Sequence, residues 1–297
     1  MPGYTDMSNQ KDAEQVASLS SVRQAHENGD ETQVTPAPAA VESDARQQPI
    51  AIISDIHGNL EALTVVMEEI RRRNITNICC LGDVIGYGPN PLECLDTVIE
   101  NCEFTIMGNH DFAIFYEPFN FNTAAENAAY WTRQQFESDP DRTRRNRRWR
   151  YLGGMQTRMM HPRFMAVHGS PRRPINEYIF PDDIYSASQK IALIFERVGH
   201  LCFVGHTHVP GVFVAQPDFY SPDDLNNRYD ITEEKAVINV GSVGQPRDHD
   251  PRSSFVILHP GHVEFIRLAY DINTTVDKVR SIDALDNFLG QRLLEGA

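Results

Sequence analysis

Short apolar runs alternate, from Pro49 onward, with stretches in which apolar residues recur every three or four positions. Residues 50–54 (IAIIS) read as a buried strand, and Leu60, Leu63, Met67 and Ile70 then repeat at helical spacing as far as Arg73. A second strand is predicted over residues 77–81. A helix follows over residues 91–100, opening on Pro91 where a missing N–H is tolerated, and then a third strand over residues 103–107. This β-α-β-α-β order predicts a parallel sheet. Residues 122–136 read as a helix, and residues 164–167, 201–204, 212–215 and 236–240 as further buried strands. The pattern then changes: residues 254–258 and 262–268 flank Pro260-Gly261 as a hairpin, and a last helix is expected over residues 274–289. No internal repeat is present.

Residues 1–48 are rich in Ser, Gln, Glu, Asp, Ala and Pro and almost without large apolar side chains after Tyr4. Ordering them would bury too little surface to offset chain entropy, so a disordered tail is expected over residues 1–48 and one folded domain over residues 49–297. Lys and Arg number 27 against 41 Asp and Glu, a formal charge of −14 that opposes adhesion to nucleic acid or anionic membrane. Neither a stable nucleic-acid complex nor a membrane partner is expected, and an anionic substrate requires a local positive site. The five cysteines, Cys79, Cys80, Cys94, Cys102 and Cys202, lack zinc-ribbon spacing, and several sit in apolar runs, as reduced buried thiols do. With no apolar stretch near the roughly eighteen residues that span a bilayer and no export signal, a cytoplasmic location is expected.

Polar clusters recur where the predicted strands end: SDIHGN from Ser54, GDVIGYGP from Gly82, GNHD from Gly108, VHGS from Val167 and GHTH from Gly205. Ligands of open α/β sheets collect outside those strand ends. Asp55 and His57 are two apart, as are His206 and His208, so each pair can project to one side. Three oxygen donors (Asp55, Asp83, Asn109) and four imidazoles (His57, His168, His206, His208), with no thiolate, suit borderline transition ions such as Mn, Fe, Zn, Co or Ni. Seven ligands exceed one tetrahedral ion and suit two divalent ions sharing a carboxylate, for which Asp83 is the candidate.

The ordered set D-x-H, G-D, G-N-H-D, H-G and G-H-x-H resembles that of the calcineurin-like metallophosphoesterases, from about Ile50 to Tyr270. GDVIGYGPNP, VHGSP, GHTHVP and NVGSVGQPRD further resemble the bacterial and archaeal branch described as similar to diadenosine tetraphosphatases and PP2A-type protein phosphatases. The resemblance implies an α/β fold, a four-layer α/β/β/α sandwich. It also implies Asp55, His57, Asp83 and His208 around one metal, and Asp83, Asn109, His168 and His206 around the other.

The implied activity is metal-dependent hydrolysis of phosphate esters, with manganese the expected ion in vitro. A metal-bridging hydroxide is the nucleophile and His110 the general acid, because the leaving alkoxide needs a proton. Substrates in view are phosphorylated small molecules, nucleotides or phosphoproteins. The alternatives are a serine/threonine phosphatase, a dinucleoside polyphosphate or cyclic nucleotide hydrolase, and a non-catalytic metal-binding scaffold. Protein phosphatases of the resembled type carry GDxVDRG, whose second Asp orients the catalytic His and whose Arg binds phosphate; Gly86-Tyr87-Gly88 stands there in this chain. Arg247 is the candidate replacement clamp, with Arg172 or Arg173 as alternatives and a loop lock against Asp248 or Asp250 as the structural reading. The basic run from Arg142 to Arg150 reads as solvated surface, with steering of a nucleotide or phosphopeptide as the alternative, and Tyr87 and Tyr178 read as edge residues that bury a ring, with the lining of a pocket for a base or alcohol group as theirs.

Overall fold

Strand β1 (Ile50–Ile53) is buried at every position because it sits mid-sheet with both faces covered. Ala51 and Ile53 pack beneath helices α1 (Leu60–Arg72) and α2 (Pro91–Asn101), while Ile50 and Ile52 point at a second sheet. A strand covered on both faces reads as a continuous apolar run, as IAII does. The computed structural model describes residues 47–118 and 120–297, so the tail expected over residues 1–48 lies, except for its last two positions, outside the described residues.

The remaining elements in chain order are β2 (Asn77–Cys80), β3 (Phe104–Thr105), α3 (Asn109–Ala113), α4 (Thr123–Ser138), α5 (Arg142–Gly154), β4 (Arg158–His161) and β5 (Phe164–Val167). Then come α6 (Asp183–Ser186), α7 (Ser188–Phe195), β6 (Leu201–Val204), β7 (Gly211–Val214), β8 (Asp218–Tyr220), β9 (Arg228–Asp230) and β10 (Ala236–Asn239). The hairpin β11 (Ser253–Leu258) and β12 (His262–Leu268) and the helices α8 (Ile272–Arg280) and α9 (Asn287–Glu295) complete the chain. Two six-stranded sheets result, ordered β3-β2-β1-β11-β12-β9 and β4-β5-β6-β10-β7-β8.

Phe203, Phe164, Ile238 and Val212 of the second sheet meet Ile50, Ile52, Val256 and Leu258 of the first, and Ile191, Ile194 and Phe195 of α7 cover the second sheet's outer face. This is the expected α/β/β/α layering. Phe203 is fully buried between the sheets, so Phe203→Ala is expected to destabilise the protein by about 3–5 kcal/mol. Urea denaturation checks this, and a loss under about 1 kcal/mol would contradict the packing.

The expected parallel pairing holds for β1, β2 and β3, and β5, β6 and β10 are parallel in the second sheet, while β1 also pairs antiparallel with β11 through Ile50 and Leu258. Two sequence expectations need correction. The last helix is two helices, because Asp286 accepts from the Phe288 N–H and caps a new start. The basic run forms α5, capped by Asp141, and is not simply solvated: Arg148 is buried and paired with Asp96 and Asp139, and Arg144 also reaches Asp139. Six arginines can share one helix when acidic neighbours, here Asp96, Glu100 and Asp139, take up part of their charge.

Candidate metal centre and active site

Five residues at strand ends hold a left-handed backbone that non-glycine residues seldom adopt: Asp55 (φ 53°), His57 (49°), Asp83 (50°), His206 (68°) and His208 (61°). Such strain, of order 1–3 kcal/mol per residue, persists only where surroundings over-determine it. Here the loops hold one another. The N–H of Asp55 donates to Gly82 O at 3.0 Å and that of His57 to Asp83 O at 2.9 Å. Asp111 is fully buried, and its carboxylate accepts from the N–H groups of Asp83 (2.7 Å), Val84 (3.0 Å), Ile85 (3.4 Å) and Gly108 (3.1 Å). The fourth residue of GNHD is therefore the anchor of the Asp83 loop.

The strain brings all seven predicted ligands together, buried. Asp83 Oδ2 lies 3.2 Å from His168 Nε2 and 3.7 Å from His57 Nε2. Asp55 Oδ1 is 3.1 Å from His208 Nε2, whose nitrogen is 3.1 Å from His57 Nε2, and Asn109 Oδ1 is 3.2 Å from His168 Nε2. The Nδ1 atoms of His57, His168 and His208 face the carbonyls of Ile85, Leu81 and Gln245, so as neutral rings they donate there and leave Nε2 lone pairs aimed inward. Two nearly touching imidazole nitrogens have no proton to share in that state, an arrangement suited to a cation between them. His206 adds a buried, unpartnered Nε2 and groups with Asp83 and His168, while Asp55, His57 and His208 form a second group. The donors fit a pair of divalent ions.

Glycine matters at two points. A Cβ on Gly108 would lie 2.0 Å from Asp83 Oδ1, and one on Gly205 would lie 2.3 Å from Asp55 Oδ2, so any side chain at either place displaces a ligand carboxylate.

Residues 49–261 match the family model of the calcineurin-like phosphoesterase superfamily domain. The chain belongs to that superfamily. It is 33% identical over 260 residues to an uncharacterized protein of Methanocaldococcus jannaschii, spanning 83% of this chain and 98% of that one. The crystal structure of a metallophosphoesterase from Sphaerobacter thermophilus is similar at 37% identity and a TM-score of 0.72, covering 84% of this chain and all of the other. A hypothetical protein from Pyrococcus horikoshii shares the fold at 18% identity and a TM-score of 0.65, over 84% and 98% of the two chains. As a metallophosphoesterase, this protein is a metal-dependent phosphoester hydrolase, and three clusters of its His and Asp side chains have the spacing to hold metal ions.

The charge state of the phosphoesterase centre follows from burial. Burial pushes His57, His206 and His208 below the ordinary histidine range, His206 to about 3, so these rings are neutral bases at neutral pH. His168 is disfavoured by burial too, yet Asp83 and Asp55 outweigh it and lift its pKa to about 9. Burial would raise Asp83, but His168 and His110 hold its carboxyl well below the usual range. Without metal His168 therefore carries a proton at pH 7, which any ion taking its Nε2 would have to displace. Metal affinity should rise by about tenfold per pH unit per proton released between pH 6 and about 9, read by calorimetry in buffers of different ionisation enthalpy. A flat pH dependence with no proton release would contradict this.

His110 stands beside the ligands, its ring 4.9 Å from His57, 4.3 Å from Tyr87 and 4.5 Å from Phe121. Its buried Nδ1 has no partner, and a Cβ on Gly86 would lie 2.6 Å from it. Gly86 occupies the place where the protein-phosphatase motif carries its orienting Asp, so the ring is held here by aromatic packing instead. Asp83 Oδ1 fixes the backbone by accepting from the His110 N–H at 2.8 Å.

A cavity of about 870 Å³ opens beside Asn109, His110 and His206. Arg247 lines it and donates to Gln245 Oε1 at 2.7 Å, while Asp248 pairs with Arg267 and Asp250 with Arg252. The loop-lock alternative for Arg247 therefore lacks its partners. Arg172 pairs with Glu177 at 3.0 Å; Arg173 faces the cavity. Tyr178 stacks on His206 with ring centroids 3.8 Å apart, and Tyr87 lies against His57 at 4.8 Å, so both line the cavity, the second of the two sequence readings. Phe121 and Arg292 were missed, because nothing local distinguishes them from ordinary residues of a loop and an amphipathic helix. His161, His200, His249, His259 and His262 join none of the ligand clusters among the described residues.

Proposed function

We propose that this chain hydrolyses phosphate monoesters or diesters at a centre of two divalent transition ions. Asp55, His57, Asp83 and His208 hold one ion, and Asp83, Asn109, His168 and His206 the other. The observation that carries the reading is the placement of one carboxylate oxygen, Asp83 Oδ2, within 3.7 Å of imidazoles from both ligand groups. When bound, such ions acidify water to a nucleophile and take up phosphoryl charge. The imidazole-rich donor set favours manganese, iron, zinc, cobalt or nickel over magnesium alone. Five free thiols, four of them buried, support a reducing, cytoplasmic setting.

His110 supplies the leaving group's proton. Burial, with Arg247 as a secondary influence, drives its pKa down to about 4 against the pull of Asp83, so the free enzyme holds it neutral at pH 7. The negative charge of a bound phosphoryl group acts in the opposite direction and raises it toward the imidazolium. Arg247 holds two phosphoryl oxygens with its planar guanidinium, and Tyr87, 6.0 Å below it, supports that plane. The missing orienting Asp at Gly86 argues for recognition different from that of the phosphoprotein phosphatases.

The test is hydrolysis of p-nitrophenyl phosphate and bis-p-nitrophenyl phosphate by manganese-loaded protein. Absence of both activities at full metal occupancy sinks the reading and favours a scaffold. Arg247→Ala should weaken orthophosphate and vanadate binding by about tenfold or more, since a charge-assisted hydrogen bond contributes about 1.5–3 kcal/mol. Unchanged affinity with metal retained would remove Arg247 from the clamp.

A further inference from the structure

Three arginines from separate parts of the chain reach the cavity beside the metal centre: Arg173 from the loop after His168, Arg247, and Arg292 from α9. Among the described residues none of the three pairs with an Asp or Glu side chain, although most other arginines near them do. Glu117, an acidic residue on the same wall, is engaged by the Tyr130 hydroxyl. In a chain of net charge −14, three cations around one cavity are a concentrated exception.

Arg292 is built into this place from outside the family-matched span, which ends at residue 261. Leu289 and Leu293 of α9 are buried, Leu289 clustering with Val279 and with Tyr87 of the cavity wall. α9 packs against Val276 of α8, and the left-handed Gly296 (φ 64°) accepts from the His249 N–H at 2.8 Å, tying the helix end to the loop after Arg247. The guanidinium is steadied by the Phe288 ring, 5.5 Å away, and by donation to the Ala297 backbone oxygen. These contacts leave most of its donors free.

Arg247 is tied to Gln245, whose carbonyl accepts from the ligand His208, and its charge opposes protonation of both His110 and His208. Arg292 shares the Tyr87 wall with Arg247, and burial together with Arg247 lowers its own pKa to about 10. Two like charges facing one partly buried cavity are stabilised by an anion between or beyond them. One phosphoryl group at the ligands accounts for Arg247 and leaves Arg292 and Arg173 unmatched.

We infer that Arg292, with Arg173, binds a second phosphate group of the substrate, so that the enzyme prefers phosphate esters bearing another phosphate beyond the scissile one. This rests on the hydrolase reading above and adds to it a class of substrate and the residue that selects it. The aromatic walls, Tyr87, Tyr178, Phe112 and Phe121, leave room for an apolar or planar connector between the two phosphates.

The test compares two non-hydrolysable anions on manganese-loaded protein by calorimetry and as competitive inhibitors of p-nitrophenyl phosphate hydrolysis: methylphosphonate, and a bisphosphonate whose groups are joined by a three-carbon chain. The wild type should bind the bisphosphonate at least about tenfold more tightly, roughly 1.4 kcal/mol. Arg292→Gln should reduce that ratio to within about twofold of unity, and Arg292→Lys should retain part of it. If Arg292→Gln does not fold, Arg173→Gln, at an exposed position, is expected to lower the same ratio. No preference in the wild type, or equal losses for both anions, overturns the inference. Calorimetry separates this from failure of the hydrolase reading, which shows as absent turnover whatever the anions do.

Discussion

Asp83→Asn is expected to remove at least about three decades of turnover, a loss of roughly 4 kcal/mol of barrier lowering, and to reduce bound metal from two ions per chain to one or none. The carboxylate has two tasks. Its Oδ2 lies between His168 and His57, and its Oδ1 accepts from the His110 N–H. Asparagine keeps one oxygen for the second task but lacks the charge that makes the first possible. The fold should survive, since the Asp83 loop is held by Asp111 and by the His57 N–H, neither of which uses the Asp83 side chain. Thermal melting then provides a readout independent of activity: metal should raise the wild-type midpoint by mass action and leave that of the variant nearly unchanged. Metal analysis finding two ions per chain in an active variant would end the bridging role.

His110→Asn is expected to lower kcat by about 10²–10⁴-fold for substrates with poor leaving groups, such as phenyl phosphate, and much less for p-nitrophenyl phosphate. A nitrophenolate departs with little help, whereas an alkoxide or phenolate needs a proton during bond cleavage. The expected signature is a steeper dependence of log kcat on leaving-group pKa in the variant, with KM little altered. A merely structural role would depress all substrates alike and leave the slope unchanged. Because His110 Nδ1 has no partner and Gly86 abuts it, the ring depends on Tyr87 and Phe121 for its orientation. Tyr87→Phe should therefore keep most of the activity, while Tyr87→Ala should lose it through a misplaced ring.

Much of the fold was legible locally. A strand covered on both faces needs every residue apolar, so β1, β5 and β6 stood out as four-residue runs, and α1 showed itself by Leu63, Met67 and Ile70 on one face. The hairpin β11–β12 was marked by Pro260-Gly261. The exposed β4, β8 and β9 were not read, because half-solvated edge strands lack a continuous apolar pattern. The break between α8 and α9 escaped because its signal is a single capping side chain, Asp286, inside an otherwise helical apolar rhythm.

The donor types and their order are properties of the sequence alone: two carboxylates, one amide and four imidazoles at predicted strand ends form a donor set that suits borderline transition ions. Tertiary structure decided which of these atoms share a space, that Asp111 serves the loop and not the metals, and that Arg292 faces the same cavity as Arg247. The division has a physical reason. Ligand chemistry resides in individual side chains and short spacings, which a sequence displays directly. Recognition by guanidinium groups and aromatic walls depends on long-range packing: Arg292 reaches the cavity because Leu289 docks a terminal helix against Val279 of α8 and Tyr87, and Gly296 ties its end to His249. No local pattern near Arg292 records that contact.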